Sequence, residues 1–176
     1  MALVDGRRLV FLDETGAKTN MTRRYGRARK GVRADDRAPH GHWNTTTLLA
    51  AVSWKGASAP MVLDGALDRD AFEAYVEQCL VPTLRPGNIV VLDNLGAHKT
   101  PKGIALIEAT GAEVRFLPPY SPDFNPIELM WSKVKNDLRS AQARTQEALW
   151  TAVAQALARV TPDDARGWFK HCLVCI

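Results

Sequence analysis

The sequence predicts an α/β fold: a mixed five-stranded sheet, three antiparallel strands and then two parallel ones, with helices on both faces. Three observations predict it. Apolar runs of strand length recur, the plainest being Ile89-Val90-Val91-Leu92. The early runs follow one another across turns, whereas the later ones alternate with helical periodicity, the order that places crossover helices against parallel strands. The composition is that of an ordinary folded chain, with 176 residues, 46% hydrophobic, 24% charged and 7% aromatic. A chain of this size buries roughly 70% of its unfolded surface and needs neither disulfides nor a structural metal. Collagen-like, disordered and disulfide-scaffold classes are excluded. One domain over residues 1–176 is expected.

Taken in order, Leu9-Val10-Phe11-Leu12 reads as a buried strand with Asp13 and Glu14 at its C-terminal end. β-Branched residues over 45–52 predict a second strand. Lys55-Gly56 makes a turn into a third, Pro60-Met61-Val62-Leu63, antiparallel to the second. Asp68 can cap a helix whose apolar positions Ala71, Phe72, Tyr75, Val76, Cys79 and Leu80 keep a helical period, ended by Pro82 and Pro86-Gly87. The strand at Ile89 runs into Asp93-Asn94. A short helix near 101–110, closed by Gly111, and a strand Val114-Arg115-Phe116-Leu117 follow. Four prolines between Pro118 and Pro126 stiffen the next segment, which hands over to a helix at 127–139. A last amphipathic helix carries Ala148, Leu149, Ala152, Val153, Ala156, Leu157 and Val160.

The net charge of +4 is unevenly placed. Residues 1–37 hold ten Lys/Arg against five Asp/Glu, so the whole excess lies there. Its focus is Arg23, Arg24, Arg27, Arg29, Lys30 and Arg33, with Tyr25, Gly26 and Gly31 between them. Localised positive charge attracts a polyanion through phosphate contacts and counterion release; a solvated loop is the plainer alternative. Of three cysteines, Cys79 falls in the first helix, and Cys172 and Cys175 fall in a tail, His171-Cys172-Leu173-Val174-Cys175, that imitates half a zinc ribbon. With no second pair to close a four-ligand site, reduced thiols are the expectation. No apolar run approaches 18 residues and the start, MALVDGRRLVFLDE, lacks a signal-peptide pattern, so a soluble cytoplasmic protein without a membrane partner is expected.

Two buried strands end in Asp, at Leu12-Asp13 and Leu92-Asp93. If they are parallel neighbours, both carboxylates meet at the sheet edge where open α/β sheets bind ligands. Glu128 opens the helix after the proline-rich segment. Carboxylates meeting without basic partners repel one another, and Mg²⁺, which takes oxygen ligands, relieves the repulsion. Two such ions would polarise a scissile phosphate and stabilise the attacking and leaving oxygens. Each residue alone has a plainer explanation. Asp13 can simply end a strand, with Glu14 the working group instead; Asp93-Asn94-Leu95-Gly96 can be a turn; Asn125-Pro126-Ile127-Glu128 fits a capping box.

The residues together carry a resemblance. Leu12-Asp13-Glu14-Thr15, then Val91-Leu92-Asp93-Asn94 with His98, then Leu117 through Glu128 (LPPYSPDFNPIE) with Trp131 and Lys135, resemble the DDE transposases, in their bacterial insertion-sequence branch of the mariner-like superfamily. Residues 20–31 and His40-Gly41-His42-Trp43 also resemble that branch, and 34 residues separate Asp93 from Glu128, the superfamily's spacing. The resemblance implies an RNase H-like fold with Asp13, Asp93 and Glu128 as the catalytic and metal-binding triad for two Mg²⁺ ions, Mn²⁺ substituting. It implies cut-and-paste chemistry: hydrolysis at transposon ends by metal-activated water, then attack of the freed 3′-hydroxyl on target DNA. The implied partners are transposon-end and target DNA, engaged by a homodimer, and the implied setting is the bacterial nucleoid.

Arg23, Arg24, Arg27, Arg29, Lys30, His98 and Lys135 are the candidate DNA-binding residues; Arg139, further along the helix of Glu128, could also touch phosphates. His98 could instead orient a carboxylate or stabilise a turn, Trp131 reads as core packing, and His40 and His42 as structural. Helix-turn-helix domains usually precede this catalytic core, and here the first aspartate is residue 13. A catalytic portion without that region is therefore expected, with a separately encoded helix-turn-helix portion as a candidate partner. Two alternatives stay open: a catalytically inactive remnant that binds nucleic acid, and an RNase H-like nuclease of RNA or DNA junctions. Mutual repulsion also predicts that removing any one of the three carboxylates leaves the metal-free fold level in stability or firmer.

Overall fold

The computed structural model describes residues 5–35, 37, 45–118 and 122–172. Its strands are β1 (Leu9–Ala17), β2 (Thr46–Ser53), β3 (Gly56–Asp64), β4 (Ile89–Leu92) and β5 (Glu113–Phe116), in the spatial order β3-β2-β1-β4-β5. β2 runs antiparallel to β1 and β3, and β4 runs parallel to β1 and β5. The predicted mixed sheet is present.

Strand side chains alternate between faces, and each face has its own core. Leu9, Phe11, Leu48, Ala50, Val52, Ile89 and Val91 pack against α3 (Pro126–Ala141), α4 (Gln146–Ala158) and α5 (Pro162–Cys172). Val10, Leu12, Leu49, Ala51, Val90 and Leu92 pack with Phe72 and Tyr75 of α1 (Arg69–Tyr75) and Ile107 of α2 (Pro101–Glu108). Asp68 caps α1 by accepting the Ala71 N–H at 2.8 Å, as its position predicts. The helix then widens into a π turn over Val76–Leu80 before Pro82, which offers no N–H.

The elements depart from expectation in three places. β1 does not end at Leu12 but runs past Asp13 to Ala17, because β2 pairs with it along that whole length. Edge strand β3 starts earlier than expected and accommodates Pro60 through a bulge: Ala59 takes φ 49° and the register shifts between Leu49 and Ala51. The C-terminal segment, where no element was expected, forms a fifth helix. Asp164 N–H bonds the Thr161 hydroxyl at 3.1 Å to start it, and Ala165, Phe169 and Cys172 line its buried side. Phe169 stands edge-on to Phe11 at 5.5 Å and to Trp54 at 6.0 Å, which ties α5 into the core. Cys79 and Cys172 are free thiols; His40, His42, Cys175 and part of the proline-rich segment (119–121) lie outside the described residues. Among the described residues, no helix is long and apolar enough to cross a membrane.

Candidate active site

The β1–β4 register sets the site. Leu9 lies opposite Ile89, Val10 opposite Val90 and Phe11 opposite Val91. Carried two residues further, that register brings Asp13 level with Asp93, the residue after β4. Asp13 does not terminate its own strand, since it still pairs with Ala50 of β2. The strand that stops is its neighbour, and the sheet edge opens where β4 ends. By alternation Asp13 shares the face of Phe11, on which α3 packs, while Glu14 shares the face of Leu12, on which α1 packs.

Asp13 is the electrostatic centre. Burial pushes its carboxyl up to about 7, and the negative charges of Glu14, Glu128 and Asp93 add to the rise. The Glu14 N–H, donated to Asp13 Oδ1 at 2.9 Å, opposes it. Asp93 is held the other way. Its Oδ1 accepts both His98 Nδ1 at 2.6 Å and the Leu95 N–H at 2.8 Å, and neither bond falls on Oδ2. The His98 hydrogen bond, helped by the Leu95 N–H, keeps the Asp93 carboxyl below its ordinary value.

His98 is wholly buried. Its other nitrogen, Nε2, lies 3.0 Å from Glu14 Oε2, at ion-pair distance but out of line for a hydrogen bond. Burial pulls the imidazole down, yet the two carboxylates outweigh it and raise the pKa to about 9, so the ring is a cation at neutral pH. This corrects its assignment to the DNA-binding residues: a ring without solvent exposure, facing Asp93 and Glu14, offers no donor to a phosphate.

Glu128 sits in the first turn of α3. Asn125 caps the helix by accepting the Ile127 N–H at 3.3 Å, and Pro126 occupies the first position, as expected. The reciprocal half of a capping box is absent. The exposed Glu128 side chain has no hydrogen bond and no ion pair among the described residues. The Asp93 turn and the chain leading to α3 are joined by Asn94 Nδ2, which donates to the Leu117 carbonyl at 2.6 Å. Among the described residues, no three His, Cys, Asp or Glu side chains close into a ready-made metal cluster. The donor set is nonetheless all oxygen, and its charges act on one residue, Asp13.

Glu128 also opens onto a groove of about 630 Å³ lined by Arg23, Arg24, Tyr25, Ser132, Lys135 and Arg139, among others. Burial and the charge of Arg24 lower the pKa of Arg139, so two like charges stand close together in it. The basic arm is rooted there by Arg144 Nη1, which donates to the Thr19 and Met21 carbonyls at 2.9 Å each. The structure thus gathers Arg23, Arg24, Lys135 and Arg139 beside Glu128. Arg27, Arg29 and Lys30 lie on an exposed stretch outside that lining. Trp131 is core, as expected, with 2% exposure. What sequence reasoning missed is the partnership of Glu14 with His98; the signal was a His five residues beyond Asp93, with two adjacent acids on a neighbouring strand.

Comparison with known proteins bears on the fold and the family. Curated protein sequences give no match. Solved structures do. The pre-cleavage Mos1 transpososome superposes with a TM-score of 0.72 at 17% identity, covering 94% of this chain and 53% of that one. The catalytic domain of Mos1 mariner transposase gives 0.65 at 13% identity, covering 94% and 77%. The Mos1 catalytic domain with Raltegravir and Mg gives 0.67 at 15%, covering 95% and 79%. These likenesses establish the fold, and the chain spans about half the length of the transposase in the transpososome. The family model for DDE superfamily endonucleases matches residues 8–150. The chain therefore belongs to the DDE superfamily endonucleases.

Proposed function

We propose that the chain is the catalytic domain of a cut-and-paste DNA transposase, and that Asp13, Asp93 and Glu128 hold two divalent cations. One observation carries this reading. The parallel β1–β4 register, carried two residues past Phe11 and Val91, brings Asp13 level with Asp93, the residue after β4, and Asp13 feels the charges of Glu128 and Asp93. Mg²⁺ dehydrates reluctantly and completes its shell with waters and substrate phosphates, so one or two carboxylates per ion suffice and a closed protein cage is not required. The Mos1 catalytic domain has been solved with Mg and with Mn, in keeping with that donor set. When bound, Mg²⁺ or Mn²⁺ would supply Lewis-acid polarisation of the scissile phosphate and a more acidic water.

The chain's own residues do the rest. Asp13 and Asp93 would hold the cations at the sheet edge and Glu128 would complete their shell from α3, since bare carboxylates repel a phosphate. Arg23, Arg24, Lys135 and Arg139 hold backbone phosphates along the groove, and Arg27, Arg29 and Lys30 add sequence-independent attraction further out. Water attacks phosphorus, the P–O3′ bond breaks, and the strand is left with a free 3′-hydroxyl. That hydroxyl then attacks a target phosphate and displaces the target 3′-oxygen, with no covalent enzyme intermediate. Transposon-end and target DNA are the partners, and a homodimer on DNA would pair two ends. Nicking of labelled DNA in Mg²⁺ or Mn²⁺ tests the reading, with Asp93→Asn as control. Cleavage that the substitution abolishes supports it; salt-sensitive binding without cleavage by the wild type favours a non-catalytic DNA-binding remnant.

A further inference from the structure

We propose that Glu14 and His98 form a positioning device for Asp93, committing Asp93 Oδ1 to the protein so that Oδ2 is the oxygen left for a divalent cation. The inference rests on the cation-binding role proposed for Asp93. It starts from chemistry: an ionised carboxylate only accepts hydrogen bonds, and an imidazole can reach two partners at once. His98 Nδ1 meets Asp93 Oδ1 at 2.6 Å, Nε2 stands 3.0 Å from Glu14 Oε2, and the Leu95 N–H shares Oδ1 at 2.8 Å. The hydrogen bond at Nδ1, the ion pair at Nε2 and the second bond on the same Asp93 oxygen together restrict the rotation of that carboxylate.

The surroundings make the ring immobile. Phe72 of α1 lies against it with centroids 4.8 Å apart, and the His98 N–H bonds the Leu95 carbonyl at 3.1 Å. Thr100 caps α2 directly beyond, accepting the Gly103 N–H at 2.9 Å. Gly103 has to be glycine for this packing, because a Cβ there would fall 2.7 Å from Thr100 Oγ1 and 3.3 Å from Phe72. Glu14 lies on the α1 side of β1, opposite to the face of Asp13. One strand thus supplies a candidate cation ligand on one face and the outer anchor of a second ligand on the other. Residues that orient metal ligands in this way typically account for about 10–100-fold in metal affinity or activity.

The test is Mn²⁺ titration followed by electron paramagnetic resonance of the free ion, with metal-free thermal unfolding in parallel. His98→Ala should weaken Mn²⁺ binding by about 10–100-fold. His98→Asn, whose amide nitrogen replaces Nδ1, should restore most of the affinity; His98→Gln, whose nitrogen replaces Nε2, should not. Glu14→Ala should weaken binding less than His98→Ala, and in nicking assays both losses should appear in kcat rather than in KM for DNA. Folded His98→Ala that binds Mn²⁺ like the wild type overturns the proposal, as does equal rescue by Asn and Gln. If His98→Ala does not fold, the Asn–Gln comparison and Glu14→Ala decide the matter. Asp93→Asn separates the two levels. Wild-type binding that Asp93→Asn does not reduce defeats the cation role itself; binding that Asp93→Asn abolishes but the His98 and Glu14 variants leave unchanged defeats only the positioning device.

Discussion

Asp93 and Glu128 are proposed to do the same work, yet the molecule holds them in opposite ways. Asp93 is half-buried, takes two hydrogen bonds on one oxygen, and is backed by a cation that never sees solvent. Glu128 is exposed at a helix start whose capping is met by Asn125, and among the described residues its side chain has no hydrogen bond or ion pair. The difference teaches how such a site can be both exact and adjustable. On the proposed reading, Asp93, level with Asp13 by the β1–β4 register, would supply a fixed frame, and Glu128 would complete the shell when a phosphate arrives.

The largest effects should be catalytic and equal on both sides. Asp93→Asn and Glu128→Gln should each lower metal-dependent nicking by more than about 100-fold, since even residues that merely orient ligands account for up to that much. Unequal losses would break the shared role. Stability should separate the two. Asp93→Ala leaves buried His98 without its main partner and should cost about 1–3 kcal/mol without metal, each kcal/mol being about 2–4 °C in Tm at this chain length. Glu128→Ala should stay within about 0.5 kcal/mol of the wild type. Repulsion alone would have all three carboxylate deletions level or stabilising; the His98 bond makes Asp93 the exception.

The pH dependence sharpens the same contrast. Asp13 holds its proton to about 7 in the folded state against an ordinary 3.8. Its stabilising contribution is therefore complete below about pH 4 and is lost as pH rises through 7. His98, raised from 6.5 to about 9, contributes in full below 6.5 and loses its contribution through 9. Metal-free Tm should fall by several degrees across the two windows. Asp13→Asn should flatten the lower window, and a saturating divalent cation should offset it. The smallest effect concerns the groove: Arg24→Ala with Arg139→Ala should reduce the salt slope of duplex binding by about 0.9 for each phosphate no longer neutralised. An unchanged slope would remove the groove from the interface.

Much of this architecture is legible in the chain itself. Ile89-Val90-Val91-Leu92 reads plainly as a buried strand, and Asn125-Pro126 as a helix start. Helix α5 is also written in the sequence, through Thr161-Pro162 and the spacing of Ala165, Phe169 and Cys172, but the sequence His171-Cys172-Leu173-Val174-Cys175 draws attention to a metal motif instead. The extent of β1 is not legible. Asp13-Glu14-Thr15-Gly16 lacks apolar alternation, and what keeps it a strand is pairing to β2, a tertiary effect. The place of His98 is equally hidden, because a polar residue after a turn reads as exposed until its buried partners are known. Glu14 is obscured for the same reason: it serves the opposite face of the sheet from the aspartate beside it.

The most direct test is a crystal soaked in Mn²⁺ and measured at the manganese absorption edge. Anomalous density is expected beside the Asp13 carboxylate and Asp93 Oδ2, with Glu128 drawn toward it when DNA is present. A peak elsewhere on the molecule, or none at concentrations that support nicking, would contradict it.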